Sequence, residues 1–418
     1  MKKLQIIAAS FVLTACTALS GCGGMQSVSL MQGISAGSTE TKTADSAFLS
    51  AQNDFAIALL RGQVAENPGA NLVLAPYSLS QTLAMSVNGA KGDTRSELEQ
   101  VLGGGLSADA LNAYFAGLQF PQSDSRRQKL RSANSVWYRD ADGFTVKPAF
   151  LQTNADCYGA DLFSAAFDDS TAADMNKWIS DKSGGQFGDL IERIGENEMV
   201  YLLNVLCFES EWAEKYEKSA IREGDFFAQS GSTQTAEYMY SDEAVYLWSE
   251  DAAGFTKSYK EIAGREYEFC AILPDDDVTL EAYLSTLTAD TLPQPVPDAS
   301  SRAGLPKFGF ETDTMLNETL KTMGIETAFS PDDADFTDMA VLSSDNLYLG
   351  SVRQTVRIDV DDEGIKAEGV TIQVHENSSA EPAPEGQQNV ILNRPFLFMI
   401  RDCETQIPLF IGAVQNIG

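Results

Sequence analysis

The sequence predicts an α+β fold, a single mixed domain in which large, mostly antiparallel sheets pack against a set of helices. Three observations predict it. Amphipathic helical periodicity dominates the first half of the folded region, apolar strand-like runs dominate the second, and the two do not alternate as regular strand–helix–strand units. With 418 residues, 44% of them hydrophobic, the chain has enough apolar material for a full core. Neither an internal repeat nor an interior linker divides it.

The elements follow in order. Met1-Lys2-Lys3, the apolar run Leu4 to Leu13 and the small residues after it read as a secretory signal, too short to span a membrane as a mature helix. Leu19-Ser20-Gly21-Cys22 resembles the bacterial lipobox, in which the cysteine is lipidated and becomes the mature N-terminus. Cys22 is preferred to Cys16, which would leave a short apolar segment. Residues 1–21 are therefore expected to be a lipoprotein signal peptide and 22–46, rich in Gly, Ser, Thr and Gln, a flexible tether to the folded region 47–418. The expected location is a bacterial cell surface or membrane, with release outside the cell as the alternative.

Phe48, Ala51, Phe55 and Leu59 share one helical face, so the domain opens with an amphipathic helix. In Asn71 to Gly103, an apolar run stops at Pro76, and Ser78 with Gln81 reads as a capping box for a helix carrying Leu79 and Leu83. Gly89 and Gly92 break that helix. Thr94 with Glu97 reads as a second capping box, and Leu98, Val101 and Leu102 supply the next buried face, which Gly103 ends. The run Glu198 to Trp212 is apolar enough for a central strand. "YEFCAILP", "VRIDV", "PFLFMI" and "IPLFIGAV" read as further strands.

Several chemistries are disfavoured. A net charge of -31, from 60 acidic against 29 basic residues, argues against nucleic acid or an anionic membrane surface as the main partner. Cys157, Cys207, Cys270 and Cys403 are scattered without a C-x-x-C, so zinc is not expected and free thiols are. The single histidine, His375, cannot build a multi-histidine metal site, and a histidine-based triad would have to use it, so hydrolase readings lose most of their weight; among the 60 acidic residues no pair stands in a telling constellation. No G-x-S-x-G, Walker or dinucleotide fingerprint is present.

The stretch "DVDDEGIKAEGVTIQVHENSSAEPAPEG", Asp359 to Gly386, is unusual because its first half alternates like a strand while its second half has loop composition. Ile365, Ala367, Gly369, Thr371 and Gln373 are uncharged, whereas Lys366 and Glu368 fall on the opposite face. No proline occurs from Gly364 to Ala380. The segment could therefore be a strand while looking built as a loop.

The stretches "NLVLAPYSLSQTLAMSVNGAKGDTRSEL", "MNKWISDKSGGQF", "LLNVLCFESEW", "LPKFGFE", "MGIETAF", "ADFTDM", "DVDDEGIKAEG" and "NRPFLFMI", in this order and spacing, resemble the serpin family from about residue 46 to the end. The resemblance implies three β-sheets with about eight or nine helices and an exposed reactive loop at about 362–390. It implies a protease inhibitor, not an enzyme. In inhibitory members a serine protease cuts the loop, forms an acyl-enzyme and is trapped when the loop inserts as a strand. Some fourteen residues at about 3.3 Å each would carry the protease several tens of ångströms.

Under this resemblance Asp362, Glu363, Gly364, Ile365, Ala367, Gly369 and Thr371 form the hinge. Counting from Gly364 places the reactive bond between Ser378 and Ser379, with Val374, His375, Glu376, Asn377 and Ala380 as the recognition window. Small residues there suit elastase-like or subtilisin-like serine proteases. Trp212, Asn204, Ser78 and Gln354 match the breach and shutter that latch the sheet. Departures are Asp362 for the usual glutamate, Ile365 for threonine, Glu368 and Val370 for alanine, Gln354 for the family's shutter histidine, and Ala75 for the first serine of its S-P-x-S run. The reading calls for a monomer with no metal, no cofactor and no polyanion activator. The alternative is a non-inhibitory serpin acting as a surface-tethered binding protein.

Overall fold

In Phe396–Asp402 and Pro408–Val414 every residue is buried, and the two strands pair antiparallel at the centre of the molecule. The structure is a computed structural model that describes residues 25–125, 127–140, 144–185, 187–188, 190–195, 198–342, 346–365 and 387–417. Around this hairpin the second sheet runs, in spatial order, Gln294–Pro295, Tyr246–Trp248, Ala252–Ser258, Tyr267–Pro274, the hairpin itself and Leu72–Leu74. All four strand runs read from the apolar sequence pattern lie where expected. Continuous apolar runs with β-branched and aromatic residues suit strands covered on both faces.

The large sheet has the order Val28–Ser29, Asp161–Ala165, Gln128–Arg139, Val200–Glu211, Gly364–Ile365, Arg353–Val360 and Phe308–Met315, with Ser123–Asp124 also paired to Gln128–Arg139. A third sheet joins Gln387–Ile391, Ser300–Pro306, Thr233–Glu243 and Ile221–Phe227. Ala340–Val341 and Thr145–Val146 make a small ribbon. Three large sheets and, among the described residues, eight α-helices match the expected architecture.

Two helices matter most for the site. Asp169–Ser183 starts where the Asp168 side chain accepts hydrogen bonds from Ser170 N at 2.9 Å and Thr171 N at 3.2 Å. It stops at Gly184, whose φ of 73° favours a residue without a side chain. Its buried Met175, Trp178 and Ile179 lie over Trp137, Tyr201, Leu203 and Val205 of the large sheet, a second core of its own. Beneath the other face of that sheet lies Pro76–Val87, buried along its whole length.

The capping boxes are corrected. Pro76 is the first residue of its helix, and Ala75, the cap position, makes no side-chain cap. Proline has no N–H to satisfy and its φ is already helical, so the start needs less capping. Ser78 lies inside the helix, and its carbonyl accepts from Thr82 Oγ1 at 3.0 Å. The next helix, Gly92–Gly103, begins before Thr94, whose hydroxyl accepts from Asp335 N at 2.9 Å; Glu97 accepts from Glu326 N and Thr327 N. At the second helix, tertiary partners took the groups that a local motif would have used.

Residues 25–44 are a second correction, because they lie along the body and do not form a free tether. Val28 pairs opposite Ser164 and Ser29 opposite Phe163, and Leu30 N donates to Leu162 O at 2.8 Å. Asp174 accepts from Ser27 N and Ser27 Oγ at 2.6 and 2.7 Å, and Asp156 from Gly37 N at 2.7 Å. Leu30, Met31, Ile34 and Ala44 pack against the main core. The Asp161–Ala165 strand would otherwise present an unpaired edge, and an extended segment satisfies it whatever its composition. Cys22 and the signal lie outside the described residues.

Cys157, Cys207 and Cys270 are buried and Cys403 half-buried, all four free thiols. Burial pushes the Cys207 thiol up to about 12, and burial also raises that of Cys403 to about 12, so neither is an activated nucleophile. The Asn317 amide donates to Gly350 O at 2.7 Å and accepts from Val352 N at 2.8 Å, a structural clamp.

Candidate functional site

The site is built around a gap in the large sheet. Val200–Glu211 pairs along its length with Gln128–Arg139, and Arg353–Val360 with Phe308–Met315. Toward each other the two strands are joined only through the short Gly364–Ile365 strand: Gly364 faces Glu211, Ile365 faces Ser210, and Ile365 also faces Val360. Below that bridge, no ladder among the described residues links Val200–Glu211 to Arg353–Val360. The consequence is a slot with a strand's beginning at its mouth.

A cavity of about 80 Å³ lies in the slot, lined by Tyr201 to Leu206 on one lip, Val352 to Val356 on the other, and Ser78, Leu79 and Thr82 from the helix beneath. Nearer the mouth is a smaller void of about 10 Å³, lined by Phe208, Ile358, Ile365, Ile400 and Phe410. Ile365 is 3% exposed and belongs to the main core. Its side chain lies on the face that the alternation assigns to burial, so an isoleucine in place of threonine fits. Gly364 is needed at the mouth because a Cβ there would sit 2.1 Å from Ser210 O and 2.7 Å from Glu211 Cα.

The turn that delivers these two residues is held from several sides. Asp361 Oδ1 accepts from Glu363 N at 2.8 Å and Gly364 N at 3.0 Å. Trp212 donates through its indole to Asp361 O at 2.8 Å and through its backbone to Glu363 O at 3.0 Å, while Tyr216 N donates to Asp362 O at 3.3 Å. Asp362 pairs with Lys307 at 2.8 Å. Burial alone would push the Asp362 carboxyl up, but the hydrogen bond and charge of Lys307 reverse this and hold it below its ordinary value. The shorter aspartate therefore still reaches its cation.

Glu211, at the end of its strand, accepts from three cations: Lys215 and Arg127 at 2.5 Å each and Lys260 at 2.7 Å. Hydrogen bonds from Lys215 and Lys260, and then Arg127, hold its carboxyl down to about 2. The cluster joins the segment before Gln128–Arg139, the segment after Glu211 itself and the segment after Ala252–Ser258 at the mouth. Sequence reasoning missed it, although a glutamate between the apolar "LLNVLCF" run and Trp212 was a usable signal.

Of the four residues expected to form the latch, Trp212 is fully buried at the mouth, whereas Ser78, Asn204 and Gln354 all line the larger cavity. Gln354 accepts from Ala75 N at 2.9 Å and donates to Ala75 O at 3.2 Å, so the amide performs both functions on one residue. Asn204 donates to Asn134 on its own side of the slot. Asn204 and Gln354 thus occupy opposite lips without a bond between them among those observed. Ala367, Gly369, Thr371, Val374, His375, Glu376, Asn377, Ser378, Ser379 and Ala380 lie outside the described residues.

The arrangement can accept a strand. Both lips carry a ladder on their outer sides only, and an extended segment entering from Ile365 would pair on both edges and bury one face.

Comparison with known proteins agrees with this geometry. The family profile described as Serpin (serine protease inhibitor) matches residues 50–417. Serpin-Z7 of Hordeum vulgare is 30% identical over 84% of this chain and 91% of its own, and the leukocyte elastase inhibitor of Bos taurus 25% identical over 88% and 99%. Among solved structures, the thermophilic serpin tengpin in its native state matches with a TM-score of 0.83 at 35% identity, covering 94% of this chain and 100% of its own. In its latent state it matches at 0.76 and 34%, covering 90% and 100%.

Proposed function

The chain belongs to the serpin family of serine protease inhibitors, and we propose that it is itself inhibitory: a suicide substrate of extracellular serine proteases that traps the acyl-enzyme by inserting its cleaved loop into the large sheet. The observation that carries this reading is the Gly364–Ile365 strand, seated between Val200–Glu211 and Arg353–Val360 above an unpaired slot. Such a bridge continues downward by simple extension. Successive residues would gain backbone partners on alternate sides, so that the segment pairs with both lips and insertion runs downhill once the loop is cut. The uncut form is then held by a kinetic barrier, and the trapped protease is displaced before water can release it.

The bait is the Ser378-Ser379 bond, within Val374 to Ala380, and the target an elastase-like or subtilisin-like protease, since no Lys or Arg occurs between Lys366 and Arg394. Support for the class also comes from the leukocyte elastase inhibitor among the relatives. The mature protein is lipidated at Cys22 and held at a bacterial surface. Intact mass of the protein from membranes reads that directly, as the mass of three acyl chains with a glyceryl group on an N-terminal Cys22.

The test mixes the purified protein with an elastase-like and a subtilisin-like protease and examines the products by denaturing gel and mass spectrometry. The expected result is a covalent complex with a released C-terminal fragment beginning at Ser379. Clean cleavage by both enzymes, with each remaining fully active, would overturn the inhibitory reading in favour of a surface-tethered binding protein.

A further inference from the structure

Lys257 is a lysine in the interior. It sits in Ala252–Ser258, opposite Phe269 in the register, and is 5% exposed. Its ammonium pairs with Glu243 Oε1 at 2.7 Å, and that carboxylate is also a partner of the Ser241 hydroxyl. The same ammonium lies 4.4 Å from the centroid of the Tyr216 ring and 5.8 Å from that of Trp212. Glu243 ends a strand of the third sheet, Lys257 belongs to the second, and Trp212 caps the central strand of the large one. All three sheets meet at this ion pair.

The two aromatic residues that enclose the ammonium are the two that hold the turn. Between them, Trp212 and Tyr216 donate to the carbonyls of Asp361, Asp362 and Glu363. Trp212 is further fixed by stacking on Tyr259 at 4.7 Å and 10°, and Ala213 N bonds Ser258 O at 2.9 Å, beside Lys257. A strand entering the slot below Ile365 must spread the lip that ends at Trp212 from the lip that runs through Val360 into the 361–363 turn. Whatever fixes Trp212 to the second sheet resists that parting. A desolvated ammonium over ring faces does so directionally, which an apolar side chain would not.

We infer that Lys257 and Glu243 are positioning residues for strand insertion: the buried pair clamps Trp212 and Tyr216, and through them the 361–363 turn, so that the uncut loop does not insert by itself. This rests on the inhibitory reading above. The pair contributes timing more than stability, because replacing a buried ion pair by well-packed neutral groups of similar size is often neutral or stabilising.

The experiment compares the full-length protein with Lys257→Met/Glu243→Gln, which removes both charges and keeps the volume, and with Glu243→Gln alone. Each is warmed uncut at a fixed temperature below its unfolding midpoint. The measured quantity is the rate at which molecules stop being cleavable in the loop and become resistant to urea. The double variant should keep a midpoint equal to or above that of the natural protein while converting about tenfold faster, as expected for losing a clamp of ordinary cation–π strength. Glu243→Gln alone, which leaves the ammonium without its counter-charge, should also lower the midpoint. Conversion at the natural rate in the double variant would overturn the inference, as would acceleration that only follows a lowered midpoint. If the natural protein gains no urea resistance after its loop is cut, the inhibitory reading itself fails.

Discussion

At the residue scale, the site depends on a few positions whose neighbours leave no freedom. Gly364 packs its α-carbon against the backbone of Ser210 and Glu211, so Gly364→Val should leave the protein folded but unable to seat its hinge. Overpacking of that kind costs about 1–3 kcal/mol, enough to shift the partition from trapping to release by roughly tenfold or more. Titrating protease with the variant measures it, as the number of inhibitor molecules consumed per enzyme inactivated. Glu211 makes a prediction in pH. Its folded-state value of about 2 lies below the ordinary 4.5, so its stabilisation is fully present above pH 4.5 and is lost as pH falls toward 2. The difference in thermal midpoint between the natural protein and Glu211→Gln should therefore be constant from pH 7 to 5 and shrink below pH 4.5. The family resemblance pointed in the sequence to Gly364, Trp212, Ser78, Asn204 and Gln354, which the fold places around the slot. Lys257 and Glu243 could not, because nothing in a sequence says that two distant charges are buried against each other.

At the element scale, the long periodic segments were the legible ones. The Phe48–Leu59 face became part of helix Ser46–Glu66, and the run to Trp212 became the Val200–Glu211 strand. Helix starts were less legible: Ser78 and Thr94 both have capping-box spacing, yet each hydroxyl lies inside its helix because proline or a tertiary partner settles the first turn. The N-terminal segment misled for a different reason. Its Gly and Ser content signals flexibility, but a sheet edge recruits backbone, which composition does not report. Asp174→Ala removes the carboxylate that accepts both Ser27 hydrogen bonds. It should lower stability by about 1–3 kcal/mol, as for hydrogen bonds to a charged group, and increase hydrogen exchange at Val28 to Leu30, readable by mass spectrometry.

At the scale of the whole molecule, the proposed function requires that the fold stand in a state that its own chain can improve upon. The family resemblance made the three sheets legible, but the opening between the two lips, and the fact that Ile365 is already inside the mouth, could be seen only in the folded structure. Strand pairing across some 150 residues, from Ser210 to Ile365, leaves no local trace. The central claim is that the segment following Ile365 completes the large sheet once it is cut. Thermal denaturation of the purified protein before and after a single nick in the loop tests this most directly. The account predicts that nicking raises the unfolding midpoint by well over about 10 °C, because a new central strand adds paired backbone and buried surface. A nicked protein that unfolds at or below the midpoint of the uncut one would contradict it.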